Sequence, residues 1–278
     1  MKPTKRLSLA RLFLGLTLLA SGGSLAVAQT AAPAPQPANN EYQEGAILWT
    51  QTSGEARALS YQAFALARMV LVQDLKANRR SRLKRAVVVD VDETVLDNST
   101  FQATLLKNRQ NYDPQLWTQW VNRAEATALP GAVEFLRYAA SRGVRVFYIT
   151  NRKQVEKEAT AANLKKLGFP DVSDETLLVR TDTGGSSKEP RRLSVSARHR
   201  IVLLMGDNLN DFAEVFDKSR TVADRLAAVE QNRDQFGSRF IVLPNVLYGD
   251  WESALYGYDS KLTEAEKAAK RKSYLKTY

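Results

Sequence analysis

The amino-acid sequence predicts an α/β protein with a doubly wound parallel sheet at its core and a small helical part beside it. Short apolar runs recur along the chain, most clearly at 86–89, 144–149 and 201–205. Their valine and isoleucine content is typical of strands buried on both faces. Segments with apolar residues at helical spacing separate these runs. Strands that alternate with helices favour a parallel sheet covered by helices on both sides.

Each predicted element has its own signal. Apolar residues at helical spacing predict helices, and continuous apolar runs predict strands. Leu129-Pro130-Gly131 ends one helical segment, while Gly143 and Gly168 are placed to end later helices. In chain order, the predicted elements are a helical segment at 45–77, a strand at 87–89, a polar and aromatic helical segment at 100–127, a helix at 132–141, a strand at 144–149, a helix at 153–167, a short strand at 176–179, a short helix from 188 to 197, a strand at 201–205, a helix at 222–236, a strand at 240–243, an aromatic-rich loop at 244–258 and a solvated helix within 262–276.

The first 28 residues have the pattern of a secretory signal peptide. Four basic residues precede an apolar run at 12–20, and Ala26-Val27-Ala28 supplies an A-x-A cleavage site. The apolar run is shorter than the ~20 residues that a membrane-spanning helix needs. We therefore expect cleavage after Ala28 and a periplasmic or secreted protein. An uncleaved membrane anchor is the alternative.

Residues 29–40 are rich in alanine and proline and predict a flexible linker. The folded body is then expected at 41–278. Within it, the core is expected at about 83–99 and 129–250, and the helical accessory part at about 41–80 and 100–128. The basic stretch 78–85 is interpreted as a solvated turn rather than a nucleic-acid patch.

Composition limits the partners and the compartment. The chain has no cysteine, which excludes disulfides and a lipid attached through a cysteine. The leader holds four basic and no acidic residues, so its removal lowers the formal net charge from +10 to +6. A positive excess of this size suits an anionic substrate or a polyanionic surface. His199 is the only histidine and is interpreted as structural, which disfavours haem ligation through histidine.

Polar residues follow three of the predicted strands at the point where each strand ends. Ligands of such sheets bind beyond the carboxyl ends of the strands. Asp90 and Asp92 would leave the first strand on the same side, because side chains alternate along an extended chain. Two close carboxylates repel each other unless one is protonated or a cation lies between them. The residues expected at this edge are Asp90, Asp92, Thr150, Asn151, Arg152, Asp207 and Asp211, with Lys188 reaching it from a loop.

The motif DVDET at 90–94 resembles the DxDxT signature of the haloacid dehalogenase (HAD) superfamily of aspartate-nucleophile phosphatases. Thr150, Lys188 and the pair Asp207 and Asp211 fall in the order of the later motifs of that superfamily. Longer strings are similar to class C acid phosphatases, a bacterial group with four motif aspartates that includes surface-lipoprotein 5′-nucleotidases. These strings are WTQTSGEARALSYQAFALAR, VDETVLDNS, FYITNR, SSKEPRR, GDNLNDF and YGDWE.

The chemistry expected at this edge is the hydrolysis of phosphomonoesters. An anionic nucleophile can approach a phosphoryl group only if their charges are neutralised and the groups are in line. Asp90 is the predicted nucleophile and forms an aspartyl-phosphate. Asp92 is the predicted general acid for the leaving oxygen and then the base for the attacking water. Thr150 would hold phosphoryl oxygens, and Lys188 would balance the charge of Asp90.

The predicted cofactor is one Mg²⁺ per site, with other divalent cations as alternatives. Magnesium prefers hard oxygen ligands. The resemblance implies that its ligands are the Asp90 carboxylate, the Asp92 backbone carbonyl and Asp207. It also implies that Asp211 holds the metal-bound waters or Lys188. Thr150 and Asp211 could instead cap the helices that follow, and Lys188 could be an exposed loop residue.

The predicted substrates are small phosphomonoesters, nucleoside monophosphates first. The resemblance implies aromatic walls around a nucleobase or aryl ring, with Trp117 and Tyr248 as candidates and Trp120 in reserve. These aromatic residues could instead pack the accessory helices. Asn151 and Arg152 are expected to contact substrate. No nucleic acid and, after signal cleavage, no membrane is expected as a partner, whereas a homodimer is implied by the resemblance.

Two other function classes compete with the phosphatase. The first is a non-enzymatic protein that captures nucleotides or phosphate for uptake, although pure binding gains nothing from a general acid. The second is a polyanion-binding surface protein, which is supported by the net charge alone. A single histidine outside the strand ends also excludes the class of acid phosphatases that uses a histidine nucleophile.

Overall fold

A computed structural model describes residues 40–77, 83–181 and 183–278. The predicted signal peptide, the linker up to residue 39 and most of the basic stretch at 78–85 lie outside the described residues. None of the helices within the described ranges combines the length and the apolar character that crossing a membrane requires.

Strands occur where the sequence has its apolar runs. Each of the strands predicted at 87–89, 144–149, 176–179, 201–205 and 240–243 has a counterpart. The strands of the described residues are β1 (Lys84–Val89), β2 (Leu96–Asp97), β3 (Thr127–Ala128), β4 (Arg145–Lys153), β5 (Leu177–Arg180), β6 (His199–Gly206) and β7 (Phe240–Val242).

A five-stranded sheet has the order β5-β4-β1-β6-β7, and every neighbouring pair is parallel. The strand that carries the first motif therefore lies at the centre. The chain moves from β1 outward to β4 and β5, then returns to β6 on the other side. The order reverses at β1, which is the point where ligands bind in open α/β sheets.

Helices connect the strands and cover the sheet. The helix predicted at 132–141 is found with the same bounds. The helices of the described residues are α1 (Glu44–Thr52), α2 (Gly54–Ala77), α3 (Ser99–Lys107), α4 (Pro114–Arg123), α5 (Ala132–Ser141), α6 (Lys157–Leu167), α7 (Glu189–Ser196), α8 (Glu214–Lys218), α9 (Val222–Gln231), α10 (Asp250–Leu255) and α11 (Glu264–Ser273).

The central strand is buried on both faces, as its valine run predicts. Val87 and Val89 belong to one apolar cluster with residues of α2 and α5. Val88 lies on the opposite face, in a second cluster with residues of α7, α8 and α9. Burying one such side chain stabilises the fold by about 1.5–3 kcal/mol. The doubly wound α/β architecture is therefore confirmed.

The accessory helices α3 and α4 leave the core directly after the first motif. β2 and β3 pair in antiparallel orientation, with Leu96 opposite Ala128, and this pair closes the base of the insertion. Phe101, Leu105, Trp117 and Val121 form its own small apolar cluster. The insertion therefore stands beside the carboxyl end of β1.

Several predicted bounds were wrong, among them the helix predicted at 222–236, which ends at Gln231. The strand predicted at 144–149 continues to Lys153, because Lys153 still pairs with Arg180 of β5. The following helix accordingly begins at Lys157 instead of residue 153. The predicted loop at 244–258 contains α10, whose six residues are too few to show a helical period in the sequence.

Candidate active site

The side chains that follow β1, β4 and β6 meet at one edge because these three strands are neighbours in the sheet. Asp90 follows β1, and its backbone N–H donates to the carbonyl of Met205 in β6 at 2.9 Å. Asp207 and Asp211 follow β6, and Lys188 lies directly before α7. The structure thus brings together residues that are far apart in the chain.

Lys188 joins two of the aspartates. Its Nζ donates to Asp90 Oδ1 and lies 2.6 Å from Asp211 Oδ1. All three residues are buried, so the alternative of an exposed loop lysine was wrong. Burial alone would lower the pKa of Lys188, but the charges of Asp211 and Asp90 raise it above its ordinary value. Lys188 therefore stays charged and holds Asp90 in place.

Asp211 has two roles that the sequence left as alternatives. Its Oδ2 accepts a hydrogen bond from the backbone N–H of Asn208 at 3.0 Å, which caps the short turn that follows β6. Its Oδ1 pairs with Lys188. A Cβ atom on Gly206 would collide with the Asp211 side chain, so the glycine at the end of β6 is needed for this approach.

Asp207 is held by two neutral donors. Thr94 Oγ1 donates to Asp207 Oδ1 at 3.0 Å, and Asn245 Nδ2 donates to Asp207 Oδ2 at 2.8 Å. Burial and the nearby charge of Asp211 raise the pKa of Asp207 to about 7. Burial also raises the pKa of Asp90 well above its ordinary value, although Lys188 opposes this. These carboxylates lack part of the positive charge that would keep them ionised.

A divalent cation fits this cluster. Carboxylate oxygens of Asp90, Asp207 and Asp211 lie within 4.8 Å of one another. Oxygen-only donors of this kind suit a hard cation such as Mg²⁺ or Ca²⁺. A cation there would also remove the repulsion that raises the carboxyl pKa values. The donor set therefore agrees with the predicted metal site, and a carboxylate oxygen of Asp211 lies close to the predicted ligands Asp90 and Asp207.

Asp92 lies beside this cluster, and one of its two carboxylate oxygens accepts its shorter hydrogen bonds. Arg152 donates to Asp92 Oδ1 through Nη2 at 2.7 Å and through Nε at 3.0 Å. Asn98 Nδ2 donates to the same oxygen at 2.9 Å. Thr150 Oγ1 lies 3.4 Å from the other oxygen, Asp92 Oδ2. Arg152 is buried in this ion pair and is not an exposed cation.

A second arginine holds the residues after β4. Arg191 Nη1 donates to the carbonyl of Thr150 at 2.5 Å, and Arg191 Nη2 donates to Asn151 Oδ1 at 2.7 Å. Thr150 is fully buried, whereas Asn151 is exposed at the mouth of the site. Thr150 Oγ1 accepts a hydrogen bond from the backbone N–H of Arg152 at 3.1 Å. Arg191 thus fixes the backbone that carries the predicted phosphate contact Thr150 and the predicted substrate contact Asn151.

A cavity of about 1170 Å³ opens over Asp90 and Asp92. Trp117 and Tyr248 line it, and Trp120 is absent from its lining residues. Trp117 is only 9% exposed because it packs edge-on against Phe101, with the ring centroids 5.2 Å apart. Trp117 therefore serves the accessory core and borders the cavity at the same time.

A model of the HAD superfamily, subfamily IIIB (acid phosphatase), matches residues 19–251. The chain belongs to this acid phosphatase family. The predicted resemblance is thereby confirmed, and the matched range contains the whole cluster of Asp90, Lys188, Asp207 and Asp211.

Solved structures agree with the family. The structure of the class C acid phosphatase from Bacillus anthracis is 44% identical, covers 85% of this chain and 98% of that chain, and has a TM-score of 0.80. The same enzyme with tungstate bound is also 44% identical, with the same coverage and a TM-score of 0.81. The parallel sheet with surrounding helices is thus the fold of a class C acid phosphatase.

More distant relatives of this acid phosphatase occur in plants. Acid phosphatase 1 of Solanum lycopersicum is 28% identical over 128 residues, which cover 45% of this chain and 50% of the relative. The stem 28 kDa glycoprotein of Glycine max is 25% identical over 181 residues, which cover 63% of this chain and 65% of the relative. The chain thus spans about half to two thirds of the length of these curated relatives.

Several site residues of this acid phosphatase were missed in the sequence. Thr94, Glu93 and Asn98 lie inside the quoted string VDETVLDNS, but Asp92 was the one residue of that string to be given a role. Asn245 follows β7 at the same edge of the sheet as the other polar clusters. The rule that predicted those clusters would have found Asn245 as well.

Glu93 connects the first motif to the opposite wall of the cavity. Its Oε1 accepts a hydrogen bond from the backbone N–H of Asn98 at 2.8 Å, and its Oε2 accepts one from the hydroxyl of Tyr248. Glu93 has a φ of 53°, which is uncommon for a residue with a side chain. Burial raises the pKa of Glu93 well above its ordinary value. Tyr248 is therefore tied to the motif that carries the predicted nucleophile.

Proposed function

We propose that this acid phosphatase hydrolyses small phosphomonoesters through an aspartyl-phosphate on Asp90. The observation that carries the proposal is the Asp90 carboxylate at the end of β1, held by Lys188 beside Asp207 and Asp211. Neutralising charge and fixing geometry is most of what a protein must do for phosphoryl transfer. The tungstate complex of the Bacillus anthracis enzyme adds support, because tungstate is a tetrahedral oxyanion like phosphate.

In the first step, an oxygen of Asp90 attacks phosphorus as the bond to the leaving oxygen breaks. Asp92 donates its proton to that leaving oxygen. Lys188 neutralises part of the charge on Asp90 and on the phosphoryl group. The backbone after β4, held by Arg191, offers Thr150 to the phosphoryl oxygens.

In the second step, water replaces the alcohol. Asp92 takes a proton from the water while the water oxygen attacks phosphorus and the bond to Asp90 breaks. Inorganic phosphate leaves, and Asp90 returns to a carboxylate. A Mg²⁺ held by Asp90, Asp207 and the Asp92 backbone carbonyl, with Asp211 beside it, would supply positive charge to both steps.

Nucleoside monophosphates are the proposed first substrates. The cavity is large enough for a nucleoside, and Trp117 and Tyr248 give it aromatic surface beside Asp90. Stacking of a base on an aromatic side chain contributes roughly 1–3 kcal/mol and tolerates any base. The predicted leader would place the enzyme in the periplasm or outside the cell.

The direct test measures hydrolysis of 4-nitrophenyl phosphate by the folded body, residues 41–278, in the wild-type form and in the Asp90→Asn variant. We expect the wild type to hydrolyse this substrate and Asp90→Asn not to. Excess EDTA should abolish the wild-type activity, and added Mg²⁺ should restore it. Turnover that survives undiminished in Asp90→Asn would contradict the nucleophile. A wild-type protein that binds nucleotides without any turnover would favour the binding-protein alternative.

A further inference from the structure

Asn98 occupies the position directly before helix α3, where asparagine normally caps the helix with its side chain. Here the side chain makes no such cap. The neighbouring Asp97 instead accepts a hydrogen bond from the backbone N–H of Ser99 at 2.8 Å. Asn98 is nevertheless fully buried. A buried asparagine that does not cap its helix must have other partners for its polar atoms.

Those partners are the acid–base residue and the accessory helix α4. Asn98 Nδ2 donates to Asp92 Oδ1 at 2.9 Å. Asn98 Oδ1 accepts from the indole Nε1 of Trp120 at 2.9 Å and lies 3.4 Å from Arg152 Nη2. The indole of Trp120, which was a reserve candidate for stacking on substrate, is thus engaged with Asn98. Asn98 bridges helix α4 and Asp92.

The two oxygens of Asp92 are consequently unequal. Oδ1 accepts a hydrogen bond from Asn98 Nδ2 at 2.9 Å and two hydrogen bonds from Arg152, at 2.7 and 3.0 Å. Among the described residues, Oδ2 has only the longer contacts, 3.3 Å from Arg152 Nε and 3.4 Å from Thr150 Oγ1. An oxygen that already accepts three hydrogen bonds has little capacity left for a proton. Oδ2 is the oxygen that remains for proton transfer.

We infer that Asn98 is a positioning residue for the acid–base step: it holds Asp92 Oδ1, so that Asp92 moves protons through Oδ2. The inference rests on the proposed function. In the first step, Oδ2 gives its proton to the leaving oxygen as the bond between that oxygen and phosphorus breaks. In the second step, Oδ2 takes a proton from the water that attacks phosphorus, and the bond between Asp90 and phosphorus breaks. Asp92 is protonated again at the end, so the cycle balances.

Two substrates with similar rings separate positioning from a general loss of structure. 4-Nitrophenyl phosphate has a good leaving group that needs no proton, whereas phenyl phosphate has a poor one that does. In Asn98→Ala, we expect kcat/KM to fall about 10- to 100-fold for phenyl phosphate and less than about threefold for 4-nitrophenyl phosphate. We also expect rapid mixing to show a burst of nitrophenolate, because hydrolysis of the aspartyl-phosphate also depends on Asp92.

Asn98→Ser is the conservative variant, because serine caps helices well and cannot bridge Trp120 and Asp92 as asparagine does. It should reproduce the loss that is specific to phenyl phosphate, and its helix cap should offset part of the stability lost with the hydrogen bonds of Asn98. Asp97→Ala is the matched control, since it removes the hydrogen bond to Ser99 at the start of the same helix and touches neither Asp92 nor Trp120. It should lower the thermal midpoint and leave the ratio of the two kcat/KM values unchanged.

If the Asn98 variants do not fold, Trp120→Phe tests the positioning role of Asn98 instead. It keeps the aromatic ring and removes only the donor to Asn98, so a leaving-group effect of about two- to fivefold is expected. Equal losses for both substrates, or a change in KM alone, would overturn the positioning role while phosphatase activity in the wild type still supports the proposed function. Absence of wild-type turnover on both substrates would contradict the proposed function and the inference with it.

Discussion

The ammonium of Lys188 lies 2.6 Å from a carboxylate oxygen of Asp211, and both side chains are at least 93% buried. The same ammonium donates to Asp90. One cation is therefore shared by two buried carboxylates, with the carboxylate of Asp207 close by. Among the described residues, one lysine thus faces three carboxylates in this cluster, which is why a divalent cation fits there.

Replacing Lys188 with Met should both destabilise the protein and remove most of its activity. Breaking a buried ion pair leaves an uncompensated charge and costs about 3–5 kcal/mol. Loss of a charge that stabilises the transition state should lower kcat by roughly 10²–10³-fold. Urea unfolding and steady-state hydrolysis of 4-nitrophenyl phosphate measure the two effects.

Lys218→Met is the control for that variant. Lys218 pairs with Glu214 at 3.1 Å on the surface, and both side chains are mostly exposed. Exposed pairs contribute about 1 kcal/mol or less. Equal stability losses in the two variants would contradict the assigned role of the buried pair.

The sheet and the main site residues could be predicted because their signals are local. A continuous valine run predicts the central strand, and Asp90 and Asp92 follow it directly in the chain. Parallel strands place their carboxyl ends at one edge, so Thr150 and Asp207 could be assigned to the same edge without knowing the structure. Lys188 was expected to reach this edge from a loop, and its place in the order of the family motifs agreed with that expectation.

Other site residues depend on contacts that the sequence does not encode locally. Asn98 looks like an ordinary helix cap, and only packing of helix α4 shows that its side chain is turned toward Asp92 and Trp120. Glu93 looks like a spacer in the DVDET motif, yet its hydroxyl partner Tyr248 is 155 residues away. Long-range partners of this kind follow from tertiary packing, which pattern and spacing do not specify.

Gly206→Ala should damage the site through Asp211. The added methyl group would collide with the Asp211 side chain, which must then move away from Lys188. Overpacking of this kind costs about 1–3 kcal/mol. We expect lower stability in urea unfolding and weaker Mg²⁺ binding in isothermal titration. Gly45→Ala is the matched control, because nothing lies within 4 Å of its added methyl group. Unchanged Mg²⁺ binding in Gly206→Ala would contradict a role for Asp211 beside the metal.

Trp117→Ala should reduce the preference for aromatic leaving groups. Loss of one stacking wall lowers the ratio of kcat/KM for adenosine monophosphate to that for glycerol phosphate by about 5- to 150-fold, which corresponds to 1–3 kcal/mol. Stability should fall too, because Trp117 packs on Phe101 in the accessory cluster. Trp251→Ala is the control, since Trp251 is 45% exposed and not among the residues that line the cavity. A ratio that does not change in Trp117→Ala would remove the stacking role.

Divalent cations should stabilise the protein more at pH 7.5 than at pH 5. Without a cation, the folded protein keeps a proton on Asp207, whose pKa is raised to about 7, while the unfolded chain has lost it above its ordinary pKa near 3.8. The folded state thus binds more protons between these values, so the free energy of unfolding falls as the pH rises through this range. The raised pKa of Asp90 acts in the same direction.

A cation that binds only the folded state reverses this fall in the free energy of unfolding with rising pH. Protons compete with the cation for the same carboxylate oxygens. With Mg²⁺ at about 100 times its Kd, the thermal midpoint at pH 7.5 should rise by roughly 5–10 °C, and by clearly less at pH 5. Scanning calorimetry in EDTA and in Mg²⁺ at both pH values measures the difference. Asp207→Asn should abolish most of the difference between the two pH values, because the amide does not titrate. A cation effect of equal size at both pH values would contradict the coupling between protons and metal at this carboxylate.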